Sequence, residues 1–260
     1  MTVPLYEVYA IKYAHHERTA SQNFLGGDPH DGPMPLDYFV WLARGEGRDL
    51  IVDTGFNAAA AARRQRRLVR PVEDALSLMG VDAQNVRDVV ITHLHYDHVG
   101  NFDLFPRATF HLQDLEMQFA TGRCMCHEPM RHAFDVEDVV GIVRNVYAGR
   151  VRFHAGDAQP WPGISLHLIG GHTMGLQAVR VATRRGFVVL ASDASHYYAN
   201  MDEGRPFPIV YHVADMMEGW GTLRALADSA AHVIPGHDPL VLERYPAPSK
   251  ALHGIAARLD

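Results

Sequence analysis

The stretch Thr92-His93-Leu94-His95-Tyr96-Asp97-His98 decides the fold, and it follows directly on the apolar run Val89-Val90-Ile91. Such a run predicts a buried strand, and successive strand side chains point to opposite faces, so His93 and His95 can point the same way. The loop after the strand can turn Asp97 and the last histidine back toward a neighbouring point. Imidazole and carboxylate groups suit zinc, iron or manganese. The stretch therefore predicts a metal site rather than a histidine-rich surface loop.

Three more apolar runs along the chain end in a histidine or an aspartate. His172 lies in a glycine-rich loop after the run that ends at Ile169, Asp193 follows Phe187 to Ala191 almost directly, and His237 follows Val233-Ile234-Pro235-Gly236. A single histidine after a strand is most often a polar residue with an ordinary hydrogen bond. Four strand ends in a row that carry His or Asp predict one shared site.

This pattern resembles the metallo-β-lactamase fold superfamily of hydrolases. The matching elements are the motif from His93 to His98 and then His172, Asp193 and His237 in that order. Asp53, in Ile51-Val52-Asp53-Thr54-Gly55, matches an aspartate that such proteins carry at a strand end ahead of the motif. The resemblance runs from Tyr38 to His237. It implies an α+β fold, the four-layer αβ/βα sandwich, and we expect a single domain over residues 1–260.

Residue by residue, the resemblance implies two divalent metal ions. The first would be held by His93, His95 and His172, the second by Asp97, His98 and His237, and both by Asp193 as a bridge. A hydroxide between the metals would be the nucleophile, because two close cations lower the pKa of a shared water and polarise a carbonyl oxygen. Zinc is the expected metal, and the same donors accept manganese, cobalt or iron. Asp53 is expected to accept a hydrogen bond from a ligand imidazole and so fix its tautomer.

Within the superfamily the chain looks most like the N-acyl-homoserine lactonase branch, on its size, its seven ligands and the segments 95–101 and 192–195. This resemblance implies hydrolysis of an N-acyl-homoserine lactone or another small lactone. The scaffold also supports hydrolases of other esters, thioesters and amides, including β-lactams, which remain alternatives. A non-catalytic or redox di-metal protein is a third reading. It is disfavoured, because such proteins usually add a flavin-binding domain.

One position departs from the lactonase pattern. Family members usually place a tyrosine three residues after the bridging Asp193, where this chain has His196, followed by Tyr197. Either side chain can donate a hydrogen bond to the substrate carbonyl or leaving group. With Asp97 and Asp193 they complete the predicted catalytic set, and the alternative is that His196 packs or faces solvent. The departure bears on the choice of lactone more than on hydrolysis.

Composition limits the partners. A chain of 260 residues with 47% hydrophobic content can form one large domain with a buried core. The net charge of −6 argues against a nucleic-acid partner, which needs a basic surface, and the arginines from Arg63 to Arg70 are interpreted as a solvated helix face. No stretch approaches the roughly 20 apolar residues of a membrane span, and the N-terminus lacks the pattern of a signal peptide. We expect a small-molecule substrate, no membrane partner, and a monomer or homodimer.

Two segments between the predicted core elements are long. Residues 20–35 and 121–147 carry apolar side chains such as Phe24 and Met130, and loops of that length are usually functional or disordered. We expect both to cover the cleft and set substrate shape, with a packing flap or a dimer contact as the alternative. The second segment holds the only two cysteines, Cys124 and Cys126, which are too close for an ordinary disulfide and too few for a metal site. Reduced thiols predict a cytoplasmic location.

Overall fold

The computed structural model describes residues 3–260, and its backbone alternates between strands and helices. The strands are β1 (Glu7–His16), β2 (Leu36–Gly45), β3 (Arg48–Val52), β4 (Arg67–Leu68), β5 (Asp88–Val90), β6 (Thr109–Gln113), β7 (Val151–His154), β8 (Ala158–Trp161), β9 (Ile164–Leu168), β10 (Gln177–Thr183), β11 (Gly186–Ser192), β12 (Val233–Pro235) and β13 (Ala256–Arg258). The helices are α1 (Ala58–Arg64), α2 (Val72–Leu78), α3 (Tyr96–Val99), α4 (Asp114–Thr121), α5 (Glu128–Arg131), α6 (Val136–Tyr147), α7 (Tyr198–Glu203), α8 (Val213–Leu226) and α9 (Leu240–Arg244).

The strands form two sheets. The larger has the order β13-β1-β2-β3-β5-β6-β7, with β4 paired to β1, and the smaller has the order β12-β11-β10-β9-β8. The strands β3, β5, β6 and β7 pair in parallel, as do β11 and β12. Parallel strands require a crossover, which α2 supplies between β3 and β5 and the helices α4 to α6 supply between β6 and β7. The carboxyl ends of the parallel strands therefore lie together at one edge of each sheet.

The alternation of side chains along β2 shows how the layers pack. Tyr38 and Val40 belong to a core that includes Leu76 of α2, whereas Phe39 and Trp41 belong to a second core. That second core also contains side chains of the smaller sheet and, from α8, Met216, Trp220 and Leu223. The larger sheet is thus buried on both faces, between helices and the smaller sheet. This arrangement of helix, sheet, sheet and helix confirms the predicted α+β sandwich.

The prediction of a long loop over 121–147 is wrong, because α5 and α6 occupy much of it. In α6, Val139 and Ile142 are buried at the spacing of one helix face. Its first turn carries Glu137 and Asp138, which interact favourably with a helix N-terminus. Residues 20–35 do lack a longer element and contain only the 3-10 turn Ala20–Gln22 before β2. Among residues 3–260, no helix combines the length and the apolar character that a bilayer crossing requires.

Candidate metal centre

Four chain segments deliver the predicted site residues to one edge of the two sheets. The segment after β5 carries His93, His95, Asp97 and His98, and three separate segments after β9, at the end of β11 and after β12 carry the others. All seven side chains are buried, with exposed fractions of 9% or less: His93, His95, Asp97, His98, His172, Asp193 and His237. The structure therefore brings together every predicted ligand, although His93 and His237 lie 144 residues apart in the chain.

The nitrogen and oxygen atoms of these side chains form two groups. In the first, His93 Nε2 lies 3.0 Å from His95 Nδ1, and His172 Nε2 lies 3.2 Å and 2.9 Å from those two atoms. In the second, Asp97 Oδ2 lies 3.7 Å from His98 Nε2 and 3.8 Å from His237 Nε2. Within each group, the candidate ligand atoms lie within 4.8 Å of one another. Imidazole nitrogens and carboxylate oxygens that converge in this way fit a cation placed between them.

Asp193 faces both groups with different oxygens. Its Oδ2 lies 3.9 Å from His93 Nε2 and 3.4 Å from His172 Nε2. Its Oδ1 lies 3.3 Å from His98 Nε2 and 3.0 Å from His237 Nε2. One carboxylate oxygen directed at each group is the arrangement that a bridging ligand requires.

Hydrogen bonds to the far side of three imidazoles fix which nitrogen faces the centre. His172 Nδ1 donates to the carbonyl oxygen of Ile209 at 2.7 Å, and His237 Nδ1 donates to that of Asp37 at 2.9 Å. His98 Nδ1 donates to Asp53 Oδ2 at 2.7 Å. In each case Nε2 is left for the centre, as is usual for metal-binding histidines. The predicted hydrogen bond from a site imidazole to Asp53 is confirmed.

The backbone is strained at two residues that support the centre. Asp53 and Ser192 have φ values of 62° and 47°, and such positions cost about 1–3 kcal/mol each for residues other than glycine. Asp53 also accepts hydrogen bonds from the Thr92 amide and hydroxyl at 2.7 and 2.8 Å, and that hydroxyl lies 2.8 Å from Ser192 Oγ. This network joins the ends of β3, β5 and β11, and it holds both strained residues in place.

The pKa shifts and two atoms without partners fit a bound cation. Burial, with the neighbouring His98 and His95, lowers the pKa of His93 well below its usual value, so this imidazole is neutral. Burial opposes the charge on His98, but the carboxylates of Asp193 and Asp53 raise its pKa well above the usual value. Buried atoms His98 Nε2 and Asp193 Oδ1 form no hydrogen bond within residues 3–260. Buried polar atoms are nearly always satisfied, and a cation would satisfy both.

Glu116 supports the centre, and sequence reasoning missed it. Its fully buried carboxylate accepts hydrogen bonds from the Leu94 amide at 2.8 Å, the Thr173 hydroxyl at 2.5 Å and the Gly175 amide at 3.1 Å. Leu94 lies between His93 and His95, and Thr173 directly follows His172. A Cβ atom at Gly175 would lie 2.0 Å from the Glu116 nitrogen, so only glycine permits this approach. Glu116 on α4 therefore ties together the two segments that form the first histidine group.

The two candidates for the family's tyrosine position lie in different surroundings. His196 Nε2 donates to Asp193 Oδ2 at 2.9 Å, and its ring stacks on Phe207 with centroids 3.6 Å apart. Burial lowers the pKa of His196 to about 3, although Asp193 acts in the opposite direction, so its imidazole is neutral. Tyr197 is directed elsewhere, because its hydroxyl donates to the carbonyl oxygens of Met34 and Pro35 at 3.2 Å. Among these two, only His196 lines the cleft above the centre.

A small cleft, with room of about 60 Å³ for water-sized molecules, gives access to the centre from solvent. The side chains that line it are polar or charged for the most part: Arg18, Leu36, Tyr38, Arg64, Arg66, His95, Tyr96, Asp97, His132, Ala133, His172, Asp193, His196, Ile209 and His237. The interpretation of the arginines as a solvated helix face is therefore wrong for Arg64 and Arg66. The helix α1 ends at Arg64, and Gln65 at φ 54° turns the chain, which directs Arg66 into the cleft.

The long segments contribute unequally to this cleft. His132 and Ala133 line it from 121–147, whereas none of the described lining residues comes from 20–35. Phe24 packs beneath Arg205, with the guanidinium carbon 3.7 Å from the ring centroid. Within residues 3–260, the groups of side chains that could hold a metal all belong to the centre described above, and none includes Cys124 or Cys126.

Comparison with known proteins agrees with this geometry. The sequence model of the metallo-beta-lactamase superfamily matches residues 34–237. A probable metallo-hydrolase of Mycobacterium tuberculosis is 25% identical over 258 residues, covering 88% of this chain and 77% of the relative. An N-acyl homoserine lactonase of Bacillus cereus is 26% identical, covering 67% of this chain and 70% of the relative. A crystal structure of a quorum-quenching N-acyl homoserine lactone lactonase superposes with a TM-score of 0.75 at 22% identity, over 92% of this chain and 93% of that one.

Proposed function

The chain belongs to the metallo-beta-lactamase superfamily and is a metal-dependent hydrolase, and from this premise we propose that it opens a lactone ring with two divalent cations. The observation that carries the proposal is the pair of Asp193 oxygens directed at two separate histidine groups. Likeness to several lactonases in sequence and fold supports the ester class, either an N-acyl-homoserine lactone or another small lactone. The monomeric or homodimeric state and the cytoplasmic location stay predictions.

We assign the ligands as the geometry groups them. The first cation would be held by His93, His95 and His172, the second by Asp97, His98 and His237, and both by Asp193. When bound, two such cations lower the pKa of a water and polarise an ester carbonyl. Zinc is the proposed metal, with manganese, cobalt or iron as alternatives, because the donors are nitrogen and oxygen and no thiolate takes part.

Three side chains of the cleft are linked by hydrogen bonds that leave one hydroxyl able to donate a proton to the substrate. Arg66 Nε donates to Tyr96 Oη at 3.2 Å, and Tyr96 Oη lies 3.3 Å from Tyr38 Oη. If Tyr96 donates to Tyr38, the Tyr38 hydroxyl proton is free to point into the cleft. The Tyr38 ring also packs edge-on against His237, with centroids 5.1 Å apart, which places it beside the centre. We assign to Tyr38 the hydrogen bond that the family tyrosine usually donates.

The protonation state of Tyr38 suits this role. Burial, reinforced by Asp97, raises the pKa of Tyr38 to about 12, so the hydroxyl keeps its proton at neutral pH. An alkoxide is a poor leaving group without a nearby donor, and Tyr38 can supply one. His196 acts differently, because its Nε2–H group already donates a hydrogen bond to Asp193. We assign it the role of orienting the bridging carboxylate.

The experiment is a substrate panel with protein loaded with a known metal. Lactones of several ring sizes and acyl lengths are compared with thioesters and anilides. The proposal expects the highest kcat/KM on a lactone, and a Tyr38→Phe variant with kcat reduced at least tenfold and KM little changed, since the interaction strengthens in the transition state. Tyr211→Phe is the matched control, because this tyrosine is exposed and does not line the cleft. Thioesters or anilides turned over faster than every lactone would contradict the proposal.

A further inference from the structure

Two arginines in the cleft come from different parts of the chain and meet through strand pairing. Arg18 follows β1, and Arg66 immediately precedes β4. Because β4 pairs with β1 through His15 and Arg67, Arg66 is brought next to the end of β1. Both guanidinium groups line the same cleft as His95, Asp193 and the other site side chains. The position of this pair is therefore set by the fold and not by a flexible surface loop.

Neither of these two charges is neutralised by the protein. Within residues 3–260, no carboxylate oxygen lies within 4.0 Å of the side-chain nitrogens of Arg18 or Arg66. The neighbouring Arg64 differs, because it forms an ion pair with Asp135 at 2.8 Å. Arg66 uses Nε for Tyr96 and Nη1 for the carbonyl oxygen of Arg64 at 2.6 Å, and Arg18 donates to the carbonyl oxygen of Gln22. These partners are neutral, and each guanidinium has five N–H donors, so donors remain for a ligand.

The arginine pair has no carboxylate at ion-pair distance among residues 3–260, although Asp97 and Asp193 line the same cleft. Both side chains are half-buried, where an unpaired charge is less well solvated than at the surface. His16, at the end of β1, reports the same local field: burial, with Arg66 and Arg18, lowers the pKa of its imidazole to about 4. The chain as a whole carries a net charge of −6, so the positive charge at this end of the cleft is a local feature. Positive side chains that cluster in a cleft attract ligands of the opposite charge.

The contact path from Arg66 to the metal centre passes through the rings of Tyr96 and Tyr38 to His237. An anion at the arginines is therefore separate from the atoms at which an ester bond would break. Guanidinium groups match the geometry of carboxylate and phosphate oxygens, to which they donate two parallel hydrogen bonds.

We propose that Arg18 and Arg66 form a subsite for an anionic group of the substrate, remote from the ester bond. This inference rests on the proposed function and narrows it to lactones or esters that carry a carboxylate or a phosphate. N-acyl-homoserine lactones have no ionised group, so the subsite separates this chain's substrate from theirs. The substitution of His196 at the family's tyrosine position accompanies this difference.

The test compares two substrates that differ only in charge. A γ-butyrolactone with a ring carboxylate and its carboxamide are offered to the metal-loaded wild-type protein and to the Arg66→Gln, Arg18→Gln and Arg67→Gln variants. Arg67 is the matched control, because it is the adjacent arginine, is exposed and does not line the cleft. A second pair consists of an ester that carries a phosphate group and the same ester with a hydroxyl group in place of the phosphate. Comparison of the two pairs shows whether the subsite prefers a carboxylate or a phosphate.

The expected result is a preference of at least tenfold in kcat/KM for the charged member of one pair by the wild-type protein and by Arg67→Gln. Arg66→Gln and Arg18→Gln each remove most of that preference, because the charged member loses far more kcat/KM than the neutral member. Equal use of charged and neutral members by the wild-type protein overturns the subsite. An equal loss on both members in Arg66→Gln and Arg18→Gln also overturns it, because these arginines would then only support Tyr96 and the loop at Gln22.

A binding measurement keeps this inference separate from the proposed function. Cyclopentanecarboxylate and cyclopentanecarboxamide are inert analogues, and calorimetry with the metal-loaded protein measures their binding. The carboxylate is expected to bind at least tenfold more tightly to the wild-type protein than to Arg66→Gln or Arg18→Gln, and the amide equally to all. If no ester is hydrolysed but this difference is found, the lactonase proposal fails and the anion subsite stands. If lactones are hydrolysed and the difference in binding is absent, the anion subsite fails and the lactonase proposal stands.

Discussion

The substitution Glu116→Gln tests whether α4 holds the two segments of the first histidine group together. The change keeps size and shape and suits a helix position, so it alters little besides the charge and the hydrogen-bonding pattern. In the native protein one carboxylate oxygen accepts from the Leu94 amide, and the other accepts from the Thr173 hydroxyl and the Gly175 amide. All three donors therefore depend on a single side chain.

The expected loss of stability in Glu116→Gln follows from the number of donors that are left without an acceptor. If the glutamine oxygen faces Leu94, its NH2 group faces the Gly175 amide, which is left without an acceptor. If the amide is flipped, the NH2 group faces the Leu94 amide instead. In either orientation one buried backbone N–H is unpaired, at a cost of about 1–3 kcal/mol. Because Leu94 lies between His93 and His95, we also expect weaker metal binding by about tenfold, the low end for residues that support metal ligands.

Two measurements check these values. Urea unfolding of the metal-free protein gives the loss in the free energy of unfolding, and competition with a chelator gives the change in metal affinity. Glu218→Gln is the matched control, because Glu218 is an exposed residue of α8. The reasoning is refuted if the free energy of unfolding of Glu116→Gln lies within about 0.5 kcal/mol of that of Glu218→Gln, roughly the scatter of surface substitutions, and its metal affinity equals that of the wild-type protein.

Two further predictions concern residues around the centre and on α6. His196→Ala removes the donor to Asp193 Oδ2 and is expected to lower both kcat and metal retention. Tyr197→Phe should leave kcat within twofold and reduce the free energy of unfolding by about 1 kcal/mol, the value of its lost hydrogen bond. Steady-state kinetics and urea unfolding separate the two variants, and a larger loss of kcat in Tyr197→Phe would reverse the assignment. Burial, with the neighbouring Asp135, raises the pKa of Asp138 from 3.8 to about 7, so the folded protein holds the extra proton between these values and the free energy of unfolding falls as pH rises through this window. Asp138→Asn should lose that part of the decline, as measured by urea midpoints at pH 4.5 and pH 8, and an unchanged pH dependence would contradict the account.

The site could be predicted from the sequence because its ligands lie at strand ends. Four apolar runs in succession end in a histidine or an aspartate, so His93, His172, Asp193 and His237 were expected to share one site without knowledge of the full topology. Asp53 could be placed for the same reason.

The remaining features depend on contacts that are distant in the chain. Glu116 lies 22 residues from Leu94 and 59 from Gly175, and a single glutamate gives no sign of such distant partners. Arg66 follows a helical pattern, but the left-handed Gln65 and the pairing of β4 with β1 direct it into the cleft. The helix α6 was within reach of local reasoning, because its acidic first turn and the spacing of Val139 and Ile142 are typical of a helix.

The central claim is a two-cation centre bridged by Asp193, and metal stoichiometry tests it most directly. Elemental analysis of the reconstituted and desalted protein is predicted to find two divalent ions per chain. Asp97→Asn, which alters a ligand of the second group only, should retain about one, whereas the exposed Asp202→Asn should retain two. One ion or none in the wild-type protein after reconstitution, or two in Asp97→Asn with undiminished affinity, would contradict the assignment of the ligands.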